Sequence, residues 1–264
     1  MDLKELQCHW NTFGSEDPLW AILTDPAKKD NKWEIEDFFK TGEIDANLLI
    51  DDIKTINPSL HYHSALDFGC GVGRLTQALA LYFDECIGVD ISPSMIENAR
   101  KHNHMGDKCK YVINEASNLS QFSDNSFDFV YSKLVLQHIR PKYSKEYIKE
   151  FIRIVKPGGL ILFQIPYSLE IPKRTICGID IPEKLLQVKE SIFRISKSLC
   201  QNVKNNHIIR TWITKQKFQP VMEFYGIPRE EVERIIEQNC GNVIKIDIDN
   251  NCPPWKGYLY FVTK

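Results

Sequence analysis

Apolar and polar positions divide the chain into stretches of different rhythm. From Ser64 to Pro166, short apolar runs alternate with amphipathic segments. The first two runs are Ser64–Phe68 and Glu85–Val89. Strands alternating with helices predict a parallel sheet covered on both faces. Residues 1–60 are not strand-like. Asp37–Lys40 and Asp45–Thr55 read as two helices, the second stopped by Asn57-Pro58. After Pro166 the rhythm breaks into a basic, partly helical stretch at about 167–225, including Pro182–Leu199. Order then resumes. Pro228–Ile236 reads as a helix with proline at its start and Gly241 capping its end. Val243–Ile248 and Gly257–Thr263 read as strands. The loop Asn250–Pro254 is too short for a crossover helix, so these two strands are expected to be antiparallel.

The chemistry gathers at strand ends. Leu66–Leu75 reads LDFGCGVGRL, and Gly88–Ser92 reads GVDIS. Glycines after a strand let backbone approach a ligand closely. An acid ending the next strand, Asp90, can accept hydrogen bonds from two ribose hydroxyls. Together they describe a pocket for an adenosine-containing cofactor. A dinucleotide site wants G-x-G-x-x-G with the pyrophosphate on the helix N-terminus. Here Arg74 stands in place of the last glycine, and Asp67 would repel a pyrophosphate. A carboxylate there suits an ammonium beside a sulfonium. The plainer readings are a turn glycine at Gly69 and a helix N-cap at Asp90.

This arrangement resembles class I S-adenosylmethionine-dependent methyltransferases. The resemblance continues in order through Ser92–Arg100, Tyr111–Ala116, Ser126–Ser132, Leu136–Ile139 and Val155–Leu162. It implies an α/β Rossmann-like sheet of seven strands, mostly parallel, with an antiparallel C-terminal hairpin and helices on both faces. It implies S-adenosylmethionine as cofactor, held by Asp67, Gly69, Cys70, Gly71, Gly73, Arg74, Asp90, Ile91, Met95, Glu115, Ala116, Ser132 and Leu134. Glu115 departs from the family, which usually offers Asp to the adenine amino group. Residues 1–60 are expected to form a helical arm. Residues 61–264 are expected to form the methyltransferase domain, with the 167–225 insertion as a cap. Arm and insertion are expected to pack over the cofactor mouth as a lid.

Bulk properties narrow the partners. The chain has 264 residues, 43% hydrophobic and 26% charged, ordinary for one soluble domain with insertions. A net charge of -2 gives no electrostatic footprint for nucleic acid. Eight scattered cysteines form no close pair with metal-ligand spacing, so no metal site is expected and a reducing cytoplasm fits. The N-terminus has no apolar signal core, and no apolar run approaches the roughly 20 residues that cross a bilayer. Nothing in the sequence indicates an oligomeric state.

A hydroxyl acceptor must lose its proton near the transition state, and histidine is the natural base at neutral pH. His138, after the fourth strand, is the first choice. The other reading is a histidine that caps a helix or bonds a carbonyl and merely shapes the pocket. His207 and Tyr225 are further candidates. His61 and His63 lie just before the first strand, at the wrong end of the sheet, and His102 and His104 in a turn after a helix; neither pair has a companion ligand at a convincing spacing. Trp10, Phe13 and Trp20 either close over the ligands or staple the N-terminal arm to the sheet. The residues Tyr131-Ser132-Lys133-Leu134 lack the tetrad of base-amine nucleic-acid methyltransferases. The small-molecule branch remains. The segment Glu16–Leu23 resembles the arm of methyltransferases of surface-polysaccharide pathways, which implies O-methylation of a sugar or a phosphorylated, nucleotide-linked glycan precursor. N-methylation of a small metabolite and a non-catalytic nucleotide-binding module stay open, as do an aminopropyl transferase and a nicotinamide oxidoreductase.

Overall fold

The computed structural model describes residues 1–169, 175–176, 179–180, 219–249 and 255–264. The chain divides into two compact units: Met1–Leu169 with Pro220–Lys264, and Glu170–Gln219.

In the larger unit, helices α1 (Leu3–Glu16), α2 (Pro18–Ile22) and α3 (Ile35–Ile56) precede the first strand. Strands β1 (Ser64–Phe68), β2 (Glu85–Asp90) and β3 (Cys109–Ile113) then alternate with α4 (Arg74–Leu79) and α5 (Pro93–Lys101). β4 (Phe127–Ser132), α6 (Pro141–Ile154) and β5 (Val155–Leu169) follow. In the smaller unit only a short hairpin is described, β6 (Thr175–Ile176) antiparallel to β7 (Ile179–Asp180). The expected helix at Pro182–Leu199 and the candidate base His207 lie outside the described residues. The larger unit ends with α7 (Arg229–Gln238), β8 (Asn242–Asp249) and β9 (Trp255–Thr263).

Seven strands form one sheet in the order β3-β2-β1-β4-β5-β9-β8. β1 to β5 pair in parallel; β9 runs antiparallel to both β5 and β8, the closing hairpin the short loop demanded. The pleat sorts side chains by alternation. Leu66, Val130, Ile161 and Phe163 meet Ile148, Phe151 and Ile152 of α6 on one face. Ala65, Phe129, Leu160 and Leu162 meet Ile50 and Ile53 of α3 and Leu79 of α4 on the other. Phe151 is fully buried.

Two local expectations are corrected. Asp37–Lys40 and Asp45–Thr55 are parts of one 22-residue helix, α3. Gly42 does not break it. A Cβ there would lie 2.6 Å from the Arg74 carbonyl oxygen, so glycine serves a close helix–helix approach. At the end of α7 the left-handed residue is Cys240 (φ 63), not Gly241. Gly241 N–H donates to the Ile236 carbonyl and Cys240 N–H to that of Glu237, the paired bonds of a Schellman ending.

β1 lies between β2 and β4, whose connections leave in opposite directions. In open α/β sheets the crevice at that reversal, beyond the carboxyl ends of the strands, is where ligands sit.

Candidate active site

A cavity of about 840 Å³ opens at that crevice. It falls within the usual size of small-molecule sites. Its wall comes from the turns after β1, β2, β3 and β4, from α1, from Ala21–Asp25, and from Met222 and Phe224.

The turn after β1 hangs on β2. Gly69 and Cys70 N–H groups both donate to the Val89 carbonyl, at 2.7 and 3.0 Å. Gly69 and Gly71 take φ of 78° and 53°, where side chains are strained. Space forbids them too: a Cβ on Gly69 would lie 2.3 Å from Val135, and one on Gly71 would lie 2.5 Å from Ile22. The loop therefore presents bare backbone to the cavity.

Asp90 fixes this loop from below. Its Oδ2 accepts from Gly71 N–H at 2.9 Å, and its Oδ1 from Ser92 N–H at 2.8 Å. Burial raises its pKa, and the backbone donors oppose that rise. Each oxygen keeps a second lone pair for a ligand hydroxyl. Asp67 is buried at the end of β1 and accepts from Thr76 Oγ1 at 2.7 Å. Burial pushes its carboxyl up to about 6, against the Thr76 bond and the Arg74 charge.

The other expected cofactor residues divide. Cys70, Ile91, Met95 and Leu134 line the cavity; Gly73, Glu115, Ala116 and Ser132 do not. Glu115 is exposed and accepts from Gln7 Nε2 of α1 at 2.6 Å. Asn114 lines the wall instead. It is the first residue past the carboxyl end of β3, a position the strand boundary alone would have singled out. Arg74 reaches the wall, yet its Nη1 binds Asp45 Oδ2 at 2.7 Å and Thr41 Oγ1 at 3.1 Å on α3. After β4, Lys133, Leu134 and Val135 line the cavity, while Ser132 is fully buried behind them.

His138 also lines the cavity, buried between Trp10 and Phe224 with ring centroids at 5.2 and 4.7 Å. The Glu223 carbonyl, 3.0 Å from Nδ1, can only accept, so Nδ1 carries the proton. Nε2 then accepts from the Gln137 amide at 3.1 Å. Gln164 donates to Gln137 Oε1 in turn, and Leu134 N–H donates to Gln164 Oε1. This buried chain fixes the tautomer. Burial lowers the imidazole pKa to about 4, so the ring is neutral at pH 7.

Helix α1 has no counterpart among the elements expected for residues 1–60. A capping box of Asp2 and Glu5 starts it, and Leu3, Leu6 and Trp10 share one face at helical spacing. Asn11 and Gly14 bond Ser94 and Asn98 of α5, docking the helix beside the cavity. Trp10 both lines the cavity and packs on the core. His63 pairs with Asp84 at the opposite end of β1. Among the described residues no three His, Cys, Asp or Glu side chains could hold a metal ion. No described helix is long and apolar enough to cross a membrane.

The sheet order, the glycine turn over Asp90 and the buried Asp67 define a class I S-adenosylmethionine-dependent methyltransferase fold. Residues 66–163 match the family model described as a methyltransferase domain. Phosphoethanolamine N-methyltransferase 3 of Arabidopsis thaliana is 32% identical over 129 residues, 48% of this chain and 25% of that protein. Ubiquinone biosynthesis O-methyltransferase of Bordetella avium is 28% identical over 132 residues, 50% of this chain and 54% of that protein. The chain thus covers less than two thirds of these relatives. The crystal structure of magnesium protoporphyrin IX methyltransferase from Synechocystis PCC 6803, with bound SAH, superposes with a TM-score of 0.62 at 15% identity. That superposition covers 100% of both chains. The comparisons give no support to a polysaccharide pathway.

Proposed function

We propose that this chain transfers a methyl group from S-adenosylmethionine to an oxygen or nitrogen of a small molecule. The observation that carries the reading is the meeting of Asp67, Asp90 and a side-chain-free glycine turn on one cavity wall. Asp90 takes the ribose hydroxyls, Asp67 faces the cationic end, and Ile91, Met95 and Asn114 flank the adenine. The bound cofactor supplies a methyl carbon on a sulfonium, already a good leaving group. The protein's task is then to hold the acceptor atom about 3–3.5 Å from that carbon and in line with its bond. The N-terminal arm, through Leu3, Leu6 and Trp10, acts as the lid that keeps water out.

The acceptor atom sets what His138 must do. An oxygen acceptor needs a base, and Nε2 is the one atom of the ring free to take a proton, after the Gln137 amide yields its place. A neutral amine attacks without that help and sheds its proton afterwards. The low basicity of the buried ring and the likeness to phosphoethanolamine N-methyltransferases favour this second reading. The test is calorimetry of the full chain with S-adenosylhomocysteine, then mass detection of a gained methyl group across a panel of alcohols, phenols and amines. Absence of binding heat overturns the assignment. Methylation of amines by His138→Ala at the parent rate removes His138 from the chemistry.

A further inference from the structure

Five charged side chains line the cavity: Asp25, Asp67, Arg74, Asp90 and Lys133. Four are already engaged. Asp67 accepts from Thr76, and Asp90 from Gly71 and Ser92. Asp25 accepts from Ala27 N–H, and Arg74 is paired with Asp45. Lys133 is different. It follows β4 directly, at the carboxyl end of a central strand, and is half-buried. Among the described residues it has no carboxylate or hydrogen-bond partner.

Its backbone is not loose. Leu134, the next residue, sits at φ 62° and donates its N–H to the buried Gln164 side chain. A non-glycine residue held there marks a turn whose shape is imposed by its surroundings. Lys133 is therefore fixed at its root in the wall and carries its ammonium on a flexible stem. A lysine sharing a cavity with a sulfonium repels it, unless an anion stands between the two cations.

We propose that Lys133 receives an anionic group of the methyl acceptor, so the acceptor is an acid, carrying a phosphate or a carboxylate. The inference rests on the methyltransferase reading above and narrows its substrate class. A lysine meets either group as a point charge, with three donors that need no fixed fork. Around it Trp10, Val135, Ile139, Met222 and Phe224 are apolar, and Gln137 and the neutral His138 add no counter-charge.

The test separates the two readings. Calorimetry with S-adenosylhomocysteine is run on the parent, Lys133→Met and Lys133→Arg chains. Equal affinity for all three is expected, and failure of the parent to bind is the failure of the methyltransferase reading alone. A loss confined to Lys133→Met would instead assign the lysine to the cofactor's own carboxylate and overturn the proposal. Saturation-transfer NMR on the S-adenosylhomocysteine-loaded chain then compares matched probes. These are phosphoethanolamine with ethanolamine, and para-hydroxybenzoate with para-hydroxybenzyl alcohol. The expected result is binding of the anionic member of at least one pair, about tenfold weaker in Lys133→Met, the size of one charge-assisted contact. Lys133→Arg should restore most of it. The pair that responds tells phosphate from carboxylate. Equal binding of neutral and anionic members, insensitivity to Lys133→Met, or binding of neither pair by a chain that holds S-adenosylhomocysteine overturns the proposal.

Discussion

Asp67 and Asp90 end neighbouring strands, yet their surroundings give them different tasks. Asp90 is braced by two backbone donors, so removing it costs both the ribose contact and the shape of the glycine turn. Asp90→Ala should weaken S-adenosylhomocysteine binding by about 2–5 kcal/mol, read by calorimetry. Asp67 is held charged against burial. Its folded pKa of about 6 lies above the unfolded 3.8, so the folded state binds more protons between those values. Stability therefore falls as pH rises from about 4 to about 6. The Asp67→Asn chain should melt higher than the parent at pH 7 without ligand, while binding S-adenosylmethionine more weakly. A mutant that melts lower and binds as before would show that the carboxylate is structural. His138 works in the opposite sense. Its pKa is lowered from 6.5 to about 4, so the folded state resists protonation and loses stability as pH falls through that window. Melting curves of the parent should show this acid-side loss, and His138→Gln should lessen it. If the ring is the base, His138→Ala should cut turnover by about 10²–10⁴-fold with cofactor affinity unchanged.

At the scale of elements, α3 is fastened to α4 by one ion pair. Arg74 is buried while Asp45 is half-exposed, so the two halves are unequal. Asp45→Ala would leave a buried guanidinium with only Thr41, and should destabilise by about 1–3 kcal/mol, less than a fully buried pair because water reaches one side. Urea unfolding measures it; an unchanged midpoint would mean that water replaces the carboxylate. Elements are also where sequence reading succeeds and fails. β1 to β4 are legible because each is short, largely apolar and bounded by turn residues, and the 15-residue β5 because its Leu160–Phe163 is a continuous apolar run. α3 reads as two pieces, because the close approach of Arg74 that Gly42 admits joins residues far apart in sequence and has no local signal. α1 escapes notice although Asp2, Glu5, Leu6 and Trp10 carry its signal, because aromatic residues near a terminus suggest a staple before they suggest a helix. Asn114 is passed over for Glu115 because the family pattern draws attention to the acid, while the strand end determines which side chain reaches the cavity. The bonds that lock His138 join residues 27 and 85 positions apart, and no local pattern encodes them.

At the scale of the molecule, the cavity is assembled from segments that meet only when the sheet is complete. The glycine turn, the β4 turn, α1 and Met222–Phe224 come from distant parts of the chain. α1 is tied to α5 through Asn11 and Gly14, and His9 Nδ1 accepts from Val221 N–H at 3.1 Å. The β8–β9 hairpin stands at the far edge of the sheet from β1 and β2. A ligand seated at the crevice should therefore bind the mouth together without reaching that edge. Saturating S-adenosylhomocysteine, at about 100 times its dissociation constant, adds about 2.7 kcal/mol to global stability. Hydrogen exchange distinguishes where it acts locally. Slowed exchange is expected in α1, in Gly69–Gly73 and in residues 221–225. Amides of β8 that open only locally should exchange at their former rate. Protection confined to Gly69–Gly73, with α1 unaffected, would show that the cofactor seats without the arm and would end its assignment as a lid.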